Sequence, residues 1–187
     1  MREKSRGTAL AEVCILIALV AIISSLIFIK YRNINEQQDM ERAVNIFETT
    51  VHKYTAKSMI SKKSYEIYFD YNNKSVTVKE RLKNKILEKK RLPEKLLYAT
   101  PYDNQTRKDI DFHTTENGNL SKSFSVYIFN YSDTAQYRVS FYTFQQSRIL
   151  RINIYKNINA GNIKYEEILN YHEKVKENEM REGWRKE

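Results

Sequence analysis

The longest apolar stretch of the chain lies near its N-terminus and defines the first predicted element. From Val13 to Ile29, seventeen consecutive residues carry no charge, and only two serines interrupt the apolar pattern. At about 1.5 Å per helical residue, the stretch counted from Ala9 can cross a hydrocarbon core of about 30 Å. A cleaved secretory signal would have an apolar core of about 7–15 residues and a small-residue cleavage site. Here a basic segment that begins at Lys30 ends the run, so we predict a retained membrane helix.

A narrower apolar stripe follows this run. Its members recur at spacings of four and three residues, the period of one helix face: Met40, Val44, Phe47, Val51 and Tyr54. No glycine or proline occurs between Asn33 and Ser61. We therefore predict one continuous helix from Thr8 to about Ser61, whose second half packs its stripe against the domain that follows. A free-standing coiled-coil dimer of about two heptads is the alternative.

Alternating apolar and polar residues after the helix predict β-strands. A hairpin is expected from Tyr65 to Val78, with an Asn-rich turn. A second β region begins at Ile110, turns at Asn117-Gly118, and continues in strands at 124–131, 136–144 and 148–155. An antiparallel sheet packed on the long helix would bury both apolar surfaces. The predicted fold class is α+β: a long N-terminal helix on a C-terminal antiparallel sheet, with a short C-terminal helix.

Two segments allow more than one structure. Between Lys79 and Arg91 the apolar residues can form one face of a short helix, but a strand that enters Leu92-Pro93 is equally compatible with the pattern. The charged tail from 163 to 187 has helical spacing, and we expect a short helix that docks loosely or frays after Met180. Trp184 is expected to be exposed there, with a role in contacts as the alternative.

The composition excludes several kinds of site. The 187 residues carry a formal net charge of +9, and the single cysteine, Cys14, permits neither an intramolecular disulfide nor a zinc cluster. The four glycines are too scattered for a phosphate-binding loop. The three histidines, His52, His113 and His172, fall in different predicted elements and are expected to be surface or turn residues. We predict no catalytic residues, no metal site and no cofactor, and hence no enzyme.

Much of the excess charge lies in one stretch, Lys79–Arg91, here named the basic cluster. It holds two acidic and seven basic residues, the latter being Lys79, Arg81, Lys83, Lys85, Lys89, Lys90 and Arg91. These side chains are candidates for contacts with nucleic-acid phosphates, and Tyr65, Tyr68 and Tyr71 are close enough in sequence to stack on bases. A solvated charged face, or attraction to anionic lipid headgroups beside the anchor, are the alternatives.

The residues before the apolar run carry the most specific signal. Three of the first six residues are basic, Gly7 follows them, and Glu12 is the fifth residue after this glycine. The pattern resembles the class III signal of type IV pilins and pseudopilins. The resemblance implies that a prepilin peptidase cuts between Gly7 and Thr8 on the cytoplasmic side and methylates the new N-terminus. It also implies that Glu12 pairs with the α-amine of a neighbouring subunit in a filament core.

The sequence departs from the family pattern at a few positions. Thr8 stands where the first mature residue is usually Phe, and Ala9-Leu10-Ala11-Glu12 replaces the usual Thr-Leu-Ile-Glu. The order of the predicted elements resembles H-type minor pseudopilins of type II secretion and the related competence pseudopilins. That family often has Gly in the turn before the last strand, where this chain has 145–147, Gln-Gln-Ser.

The resemblance implies a domain organisation and a location. The expected parts are a leader at 1–7, a transmembrane and filament-core helix at 8–30, the amphipathic helix half at 31–61, a β-sheet globular domain at 62–158 and a charged helical tail at 159–187. The chain is expected in the bacterial cytoplasmic (inner) membrane as a single-pass protein, with the N-terminus inside and the C-terminal domain outside. After assembly it would belong to an extracytoplasmic filament.

The expected function is that of a minor pilin-like structural subunit of a type II secretion, type IV pilus or competence filament. The implied partners are prepilin peptidase, other pilin or pseudopilin subunits, an inner-membrane assembly platform and membrane lipid, with DNA as a further candidate. One alternative is a membrane-anchored DNA- or substrate-binding tip module that uses the basic cluster. Another is an unprocessed single-pass anchor protein.

Overall fold

The chain begins with one long helix. In the computed structural model, which describes residues 4–83, 85–143, 150–178 and 183–187, helix α1 spans Lys4–Ser61 without interruption. It ends at the predicted residue, where Lys62 adopts a positive φ of 54° and its N–H donates to the carbonyl of Ser58 at 2.8 Å. The chain divides into two compact units, Met1–Gln38 (unit 1) and Asp39–Glu187 (unit 2).

Most of the regular secondary structure described in unit 2 is β-strand. The strands are β1 Tyr65–Asp70, β2 Ser75–Glu80, β3 Lys85–Arg91, β4 Leu97–Tyr102, β5 Gln105–Arg107, β6 Asp109–His113, β7 Phe124–Phe129, β8 Ala135–Tyr142, β9 Arg151–Asn157 and β10 Trp184–Lys186. A short 3₁₀ turn and helix α2, Ile168–Asn178, separate β9 from β10. All ladders between these strands are antiparallel. The predicted α+β class is therefore confirmed, including the short C-terminal helix.

The strands form two sheets, where the sequence predicted one. The four-stranded sheet has the order β3-β2-β1-β6, and the six-stranded sheet has the order β10-β9-β8-β7-β4-β5. The predicted hairpin of β1 and β2 is present, and its register places Ile67 opposite Val78. Strands β4 and β5 were not predicted. Pro101 lies in β4, and a proline is unusual in a strand interior. The turn at 145–147 and the adjoining ends of the predicted strands lie outside the described residues.

The apolar stripe of α1 forms the centre of the core of unit 2. Val44, Phe47, Val51 and Tyr54 are all buried against the sheets, and Met40 is partly buried. The Phe47 ring lies 4.8 Å from that of Phe69 and 5.8 Å from that of Tyr98, measured between centroids. Full burial of one such side chain contributes about 1.5–3 kcal/mol. Packing of the second half of α1 on the domain is therefore confirmed within this chain.

Phe69 of β1 joins the two sheets. Its ring centroid lies 5.1 Å from that of Phe112 in its own sheet, and 6.1 Å and 6.2 Å from those of Phe124 and Phe141 in the other sheet. Such edge-on and tilted aromatic pairs add about 0.5–1.5 kcal/mol beyond their buried area. The inner faces of both sheets thus share one aromatic core with the helix.

The C-terminal end of α1 is fixed by the loop that follows β6. The hydroxyls of Ser58 and Thr114 form a buried hydrogen bond of 2.5 Å, and Thr114 also accepts from the N–H of Tyr65 at 2.9 Å. The predicted turn at Gly118 packs beside it, with φ of +77°. A Cβ atom on Gly118 would lie 3.0 Å from the Thr55 carbonyl oxygen, so the close approach to the helix requires glycine.

The tail closes over the outer face of the six-stranded sheet and corrects the prediction of a loose or frayed end. Strand β10 pairs with β9, and the indole Nε1 of Trp184 donates to the Tyr171 hydroxyl at 2.6 Å. The carbonyl of Gly183 accepts from the N–H groups of Ile158 and Asn159. Trp184 is therefore a contact residue, contrary to the expectation of idle exposure. Met180, after which fraying was expected, lies outside the described residues.

A second, smaller core holds this segment in place. Ile163 and Ile168 are buried with Tyr127 and Phe129 of β7. His172 is also buried, and its Nδ1 lies 3.0 Å from the Tyr127 hydroxyl. The prediction that all three histidines are surface or turn residues was therefore wrong for His172. The helical spacing of the tail indicated which face would be apolar, but the partner face on the sheet was not visible from the sequence.

Candidate assembly helix and basic cluster

The helix of unit 1 exposes apolar side chains all around its circumference. The large apolar residues between Val13 and Ile29 are 50–69% exposed. By length and composition, α1 is apolar enough to cross a membrane. A helix that is apolar on every side is suited to lipid or to the interior of a helix bundle.

The hydroxyl of Ser25, one of the two serines of this run, is satisfied within the helix. Ser25 donates its hydroxyl to the carbonyls of Ala21, at 3.0 Å, and Ile22, at 2.8 Å. Such a bond to the preceding turn satisfies a hydroxyl without help from water. The polar group of Ser25 is thus compatible with apolar surroundings.

The three predicted processing and assembly residues all belong to α1. The backbone of Gly7 and Thr8 is helical, close to the first described turn. Glu12 is exposed, and within the described residues it forms no hydrogen bond or ion pair. A carboxylate among apolar side chains costs about 2.5–3.5 kcal/mol at the centre of a membrane and less near its surface. In apolar surroundings, Glu12 would therefore require a polar interface or a cation.

The basic cluster forms a turn and an edge strand, so the strand alternative was correct and the short helix was not. Residues 81–83 form a turn, and β3 follows as the outer strand of the four-stranded sheet. A bulge between Val78 and Lys79 shifts the β2–β3 register. Because side chains alternate between the two faces of a strand, the basic residues point in different directions.

One basic residue of the cluster faces the helix. Lys90 pairs in register with buried Val76, and Glu88 pairs with buried Val78. Lys90 donates its Nζ to the Thr50 hydroxyl at 3.3 Å and lies 3.5 Å from Glu88 Oε1. The ammonium group of Lys90 thus contacts groups of its own domain.

Glu88 is the centre of a polar network between β3 and α1. Its Oε2 accepts from Lys53 Nζ at 2.8 Å and from the Tyr54 hydroxyl at 2.9 Å. The hydrogen bond from Lys53 outweighs desolvation and, with Tyr54 and Lys90, lowers the pKa of Glu88. Burial, followed by the bond to Glu88, raises the pKa of Tyr54. Sequence reasoning missed this network, because the alternation that aims Glu88 at the helix depends on the strand assignment.

Three more basic residues lie beside an acidic row on the outer face of this sheet. Lys79, Lys89 and Arg91 belong to β2 and β3, and the ladder places Glu66, Asp70, Asp109 and Asp111 on the neighbouring strands. Hydrogen bonds from Asn73 and the charge of Lys89 outweigh the opposing effect of burial and lower the pKa of Asp70. This part of the cluster is therefore partly neutralised.

The last three, Arg81, Lys83 and Lys85, are exposed at the β2–β3 turn. The described ion pairs include none of them. The structure thus disperses the seven predicted contact residues over three different environments instead of one continuous basic stripe.

The tyrosines predicted for base stacking are not available for it. Tyr65 and Tyr71 are buried in the core, where Tyr71 shares a hydrogen bond of 2.6 Å with the Thr100 hydroxyl. Tyr68 is half-buried and donates to Asp109 at 2.9 Å. Burial and this bond raise the pKa of Tyr68 to about 12. The alternation Tyr65, Ile67, Phe69 identified the buried face, and this signal should have removed Tyr65 from the stacking set.

The described residues contain no group of three or more His, Cys, Asp or Glu side chains that could hold a metal ion. Burial and the charge of Arg81 lower the pKa of His113, which lies in β6. His52 is exposed on α1, and His172 is bonded in the second core. No arrangement of a nucleophile and a base emerges from these positions.

Comparisons with known proteins gave a likeness of fold. Neither protein-family models nor curated proteins gave a match. Two solved structures of the minor pseudopilin EpsH from the type II secretion system of Vibrio cholerae are similar. One has 14% identity and a TM-score of 0.45, covering 60% of this chain and 94% of the other. The second has 13% identity and a TM-score of 0.48, covering 62% and 93%. At these values the function must be argued from the residues of this chain.

Proposed function

We propose that this chain is a minor pilin-like subunit of a secretion, pilus or competence filament, and that a prepilin peptidase processes it. The single observation that supports this most is the spacing from Gly7 to Glu12 at the start of a helix with apolar side chains on all sides. In this proposal the chain enters the cytoplasmic membrane with its N-terminus inside. The domain after residue 61 then faces outward and joins an extracytoplasmic filament.

The chemistry of the proposed site is a pairing of charges. Cleavage between Gly7 and Thr8 creates an α-amine, and methylation leaves its positive charge in place. Among packed apolar helices, the amine of one subunit can meet the Glu12 carboxylate of its neighbour. Low dielectric surroundings strengthen such a pair but also make either unpaired charge costly. Assembly would then provide the cation that Glu12 lacks in the described residues.

The test of processing is a co-expression experiment. The full chain is produced with an active prepilin peptidase, and intact-mass measurement follows the loss of residues 1–7 and methylation of Thr8. Gly7→Val should block the cut, because a branched side chain replaces the smallest one at the scissile bond. Ser5→Val, a matched control inside the leader, should be cut normally. A wild-type chain that keeps its leader beside the active peptidase contradicts the proposal.

The role of Glu12 is tested in cells that assemble the filament. Glu12→Ala should fold and be cut normally, but its incorporation should fall by about a hundredfold or more, since breaking a buried ion pair costs about 3–5 kcal/mol. Glu12→Asp keeps the charge and should retain part of the incorporation. Full incorporation of Glu12→Ala would show that this glutamate is only an interfacial residue.

DNA or substrate binding by the basic cluster is the second candidate function. One observation favours it, since Arg81, Lys83, Lys85, Lys89 and Arg91 are exposed. The test reverses Lys83, Lys85 and Lys89 to Glu and keeps Lys90, because Lys90 contacts Glu88. The control reverses Lys95, Arg107 and Lys108, exposed residues outside the cluster.

The readout is binding of a 30-base-pair duplex by the full chain in detergent. The logarithm of the binding constant falls with the logarithm of the salt concentration, with a slope of about 0.9 per phosphate contact. Three contacts therefore predict that wild-type affinity falls roughly 40-fold between 50 and 200 mM salt. A loss of binding in the cluster variant alone supports this candidate. Equal binding of the duplex by both triple variants, or wild-type binding that does not depend on salt, contradicts DNA binding by the basic cluster.

A further inference from the structure

Unit 2 exposes apolar side chains mainly at one end. Within its described residues, six large apolar side chains are strongly exposed, and four of them are Met59 at 53%, Ile60 at 82%, Leu82 at 93% and Ile86 at 57%. Met59 and Ile60 belong to the last turn of α1. Leu82 lies in the β2–β3 turn, and Ile86 begins β3.

Hydrogen bonds hold these segments at the same end of unit 2. The N–H of Arg81 donates to the carbonyl of Ser64, just after α1, at 3.2 Å. Lys63 Nζ lies 3.2 Å from Glu80 Oε1, and Glu80 pairs with Lys85 in the β2–β3 ladder. At about 1.5 Å per residue, this end lies about 33 Å along the helix from Asp39, where unit 2 begins. We name Met59, Ile60, Arg81–Lys83, Lys85 and Ile86 the tip surface.

Positive charges flank Leu82 and Ile86 of the tip surface along the chain. Arg81, Lys83 and Lys85 are exposed, and none takes part in the ion pairs of the described residues. The nearby carboxylate of Glu80 is already engaged by Lys63. A single exposed leucine needs no explanation, but several exposed apolar residues with a polar rim mark an interaction site.

We propose that the tip surface binds an acidic surface on another protein subunit of the filament, and that this partner has an apolar recess for Leu82. The inference rests on the proposed filament function and names the part of the domain that contacts the partner. Charge complementarity selects an acidic partner. Leu82 and Ile60 contribute nothing to phosphate contacts, and burial of Tyr65 and Tyr71 removes base stacking, so an acidic protein fits the surface better than DNA does.

The first experiment is site-specific photocrosslinking in cells that assemble the filament. The full chain carries Cys14→Ser and Leu82→Cys, and a maleimide-benzophenone label on the new thiol is activated by light. A matched chain carries Ile158→Cys, at an apolar residue that is 52% exposed elsewhere in unit 2. We expect one protein adduct from position 82, with an attached segment rich in Asp and Glu, and no such adduct from position 158. No adduct at position 82, only lipid adducts, or the same adducts from both positions overturn the proposal.

A second comparison separates protein docking from phosphate recognition. In this comparison the label is attached at Ile86→Cys. Both Leu82→Ser and the triple change of Arg81, Lys83 and Lys85 to Gln should then reduce the amount of adduct by about tenfold or more. This is the scale of the effect when a hot-spot residue is truncated. The same variants are tested on a 30-base-pair duplex and on vesicles of anionic phosphatidylglycerol. Three results together would show that the proposal is wrong. The wild type binds either probe, only the charge variant loses this binding, and Leu82→Ser leaves the amount of adduct unchanged.

The failure of this inference can be distinguished from that of the proposed function. Leader cleavage is measured by intact mass in the same samples. An uncut chain counts against the filament function, whereas a cut and incorporated chain without an adduct at position 82 counts against the tip surface alone.

Discussion

The two parts of helix α1 have similar backbones but opposite relations to their surroundings. In unit 1 the large apolar side chains from Val13 to Ile29 are at least 50% exposed. In unit 2 most large apolar residues of the helix lie on one stripe, where Phe47 and Val51 are completely buried, whereas Met59 and Ile60 in its last turn are exposed. The first part leaves its large apolar side chains exposed, whereas the stripe of the second part is buried against the sheets.

The difference shows that the distribution of apolar residues around a helix determines which kind of surface can cover them. A stripe buries itself against one surface, which the sheets of this chain provide. A helix that is apolar all round cannot be covered by one sheet, so its surroundings must be lipid or several other helices. The same physical reason separates the anchoring and assembly role proposed for unit 1 from the folding role of the stripe.

The strongest test of this comparison removes the same side chain from each part. Phe47→Ala should destabilise unit 2 by about 3–5 kcal/mol, because it leaves a cavity among Phe69, Tyr71 and Tyr98. Phe28→Ala, at a residue that is 69% exposed, should change the free energy of unfolding by less than about 0.5 kcal/mol. Urea unfolding of the full chain in detergent, followed by near-ultraviolet circular dichroism, measures both. Equal effects of the two changes would refute the contrast.

A second test examines how β3 is fastened to the helix. Glu88→Gln should cost about 1–3 kcal/mol, because Lys53 and Lys90 lose their carboxylate. The pKa of Glu88 is lowered in the folded protein, so its contribution is fully present above the unfolded pKa of about 4.3 and is lost as pH falls through the folded value. Urea unfolding between pH 7 and 3 should therefore show the wild-type advantage shrinking below about pH 4.

The control for this test is Glu94→Gln, which changes an exposed carboxylate in the loop before β4. It should leave the pH dependence of unfolding unchanged. If the Glu88 and Glu94 variants have the same pH dependence, the network at β3 contributes nothing measurable to the stability of unit 2.

The smallest expected effect concerns the tail, where the half-buried Trp184 also finds partners within unit 2. Trp184→Ala should cost about 1–2 kcal/mol, less than the 3–5 kcal/mol of a fully buried Trp, because the indole is half-buried. It removes the bond to Tyr171 and the edge contact with Tyr127. Arg185→Ala, on the same strand and 62% exposed, should be neutral in the same urea assay. If Trp184→Ala does not lower the free energy of unfolding, the contacts of Trp184 contribute nothing measurable to stability.

The sequence by itself determined the parts of the fold that depend on local pattern. The absence of glycine and proline and the spacing of the stripe predicted a helix from Thr8 to about Ser61, and α1 spans Lys4–Ser61. Alternation predicted the β1–β2 hairpin, and the turn at Gly118 followed from local turn chemistry. The spacing of Gly7, Thr8 and Glu12 is likewise a local pattern, and their role in processing and assembly stays a prediction.

The tertiary structure alone decided which surfaces meet and where each side chain of the basic cluster points. Side chains alternate on strands with a period of two, so the choice between strand and helix at 85–91 sent Lys90 to the helix and Lys89 to the outer face. The division into two sheets, the burial of Tyr65 and Tyr71 and the closure of the tail by Trp184 all depend on contacts between residues distant in sequence. Local periodicity identifies an apolar face, but only the packed chain selects its partner, because many pairings of apolar faces bury similar area.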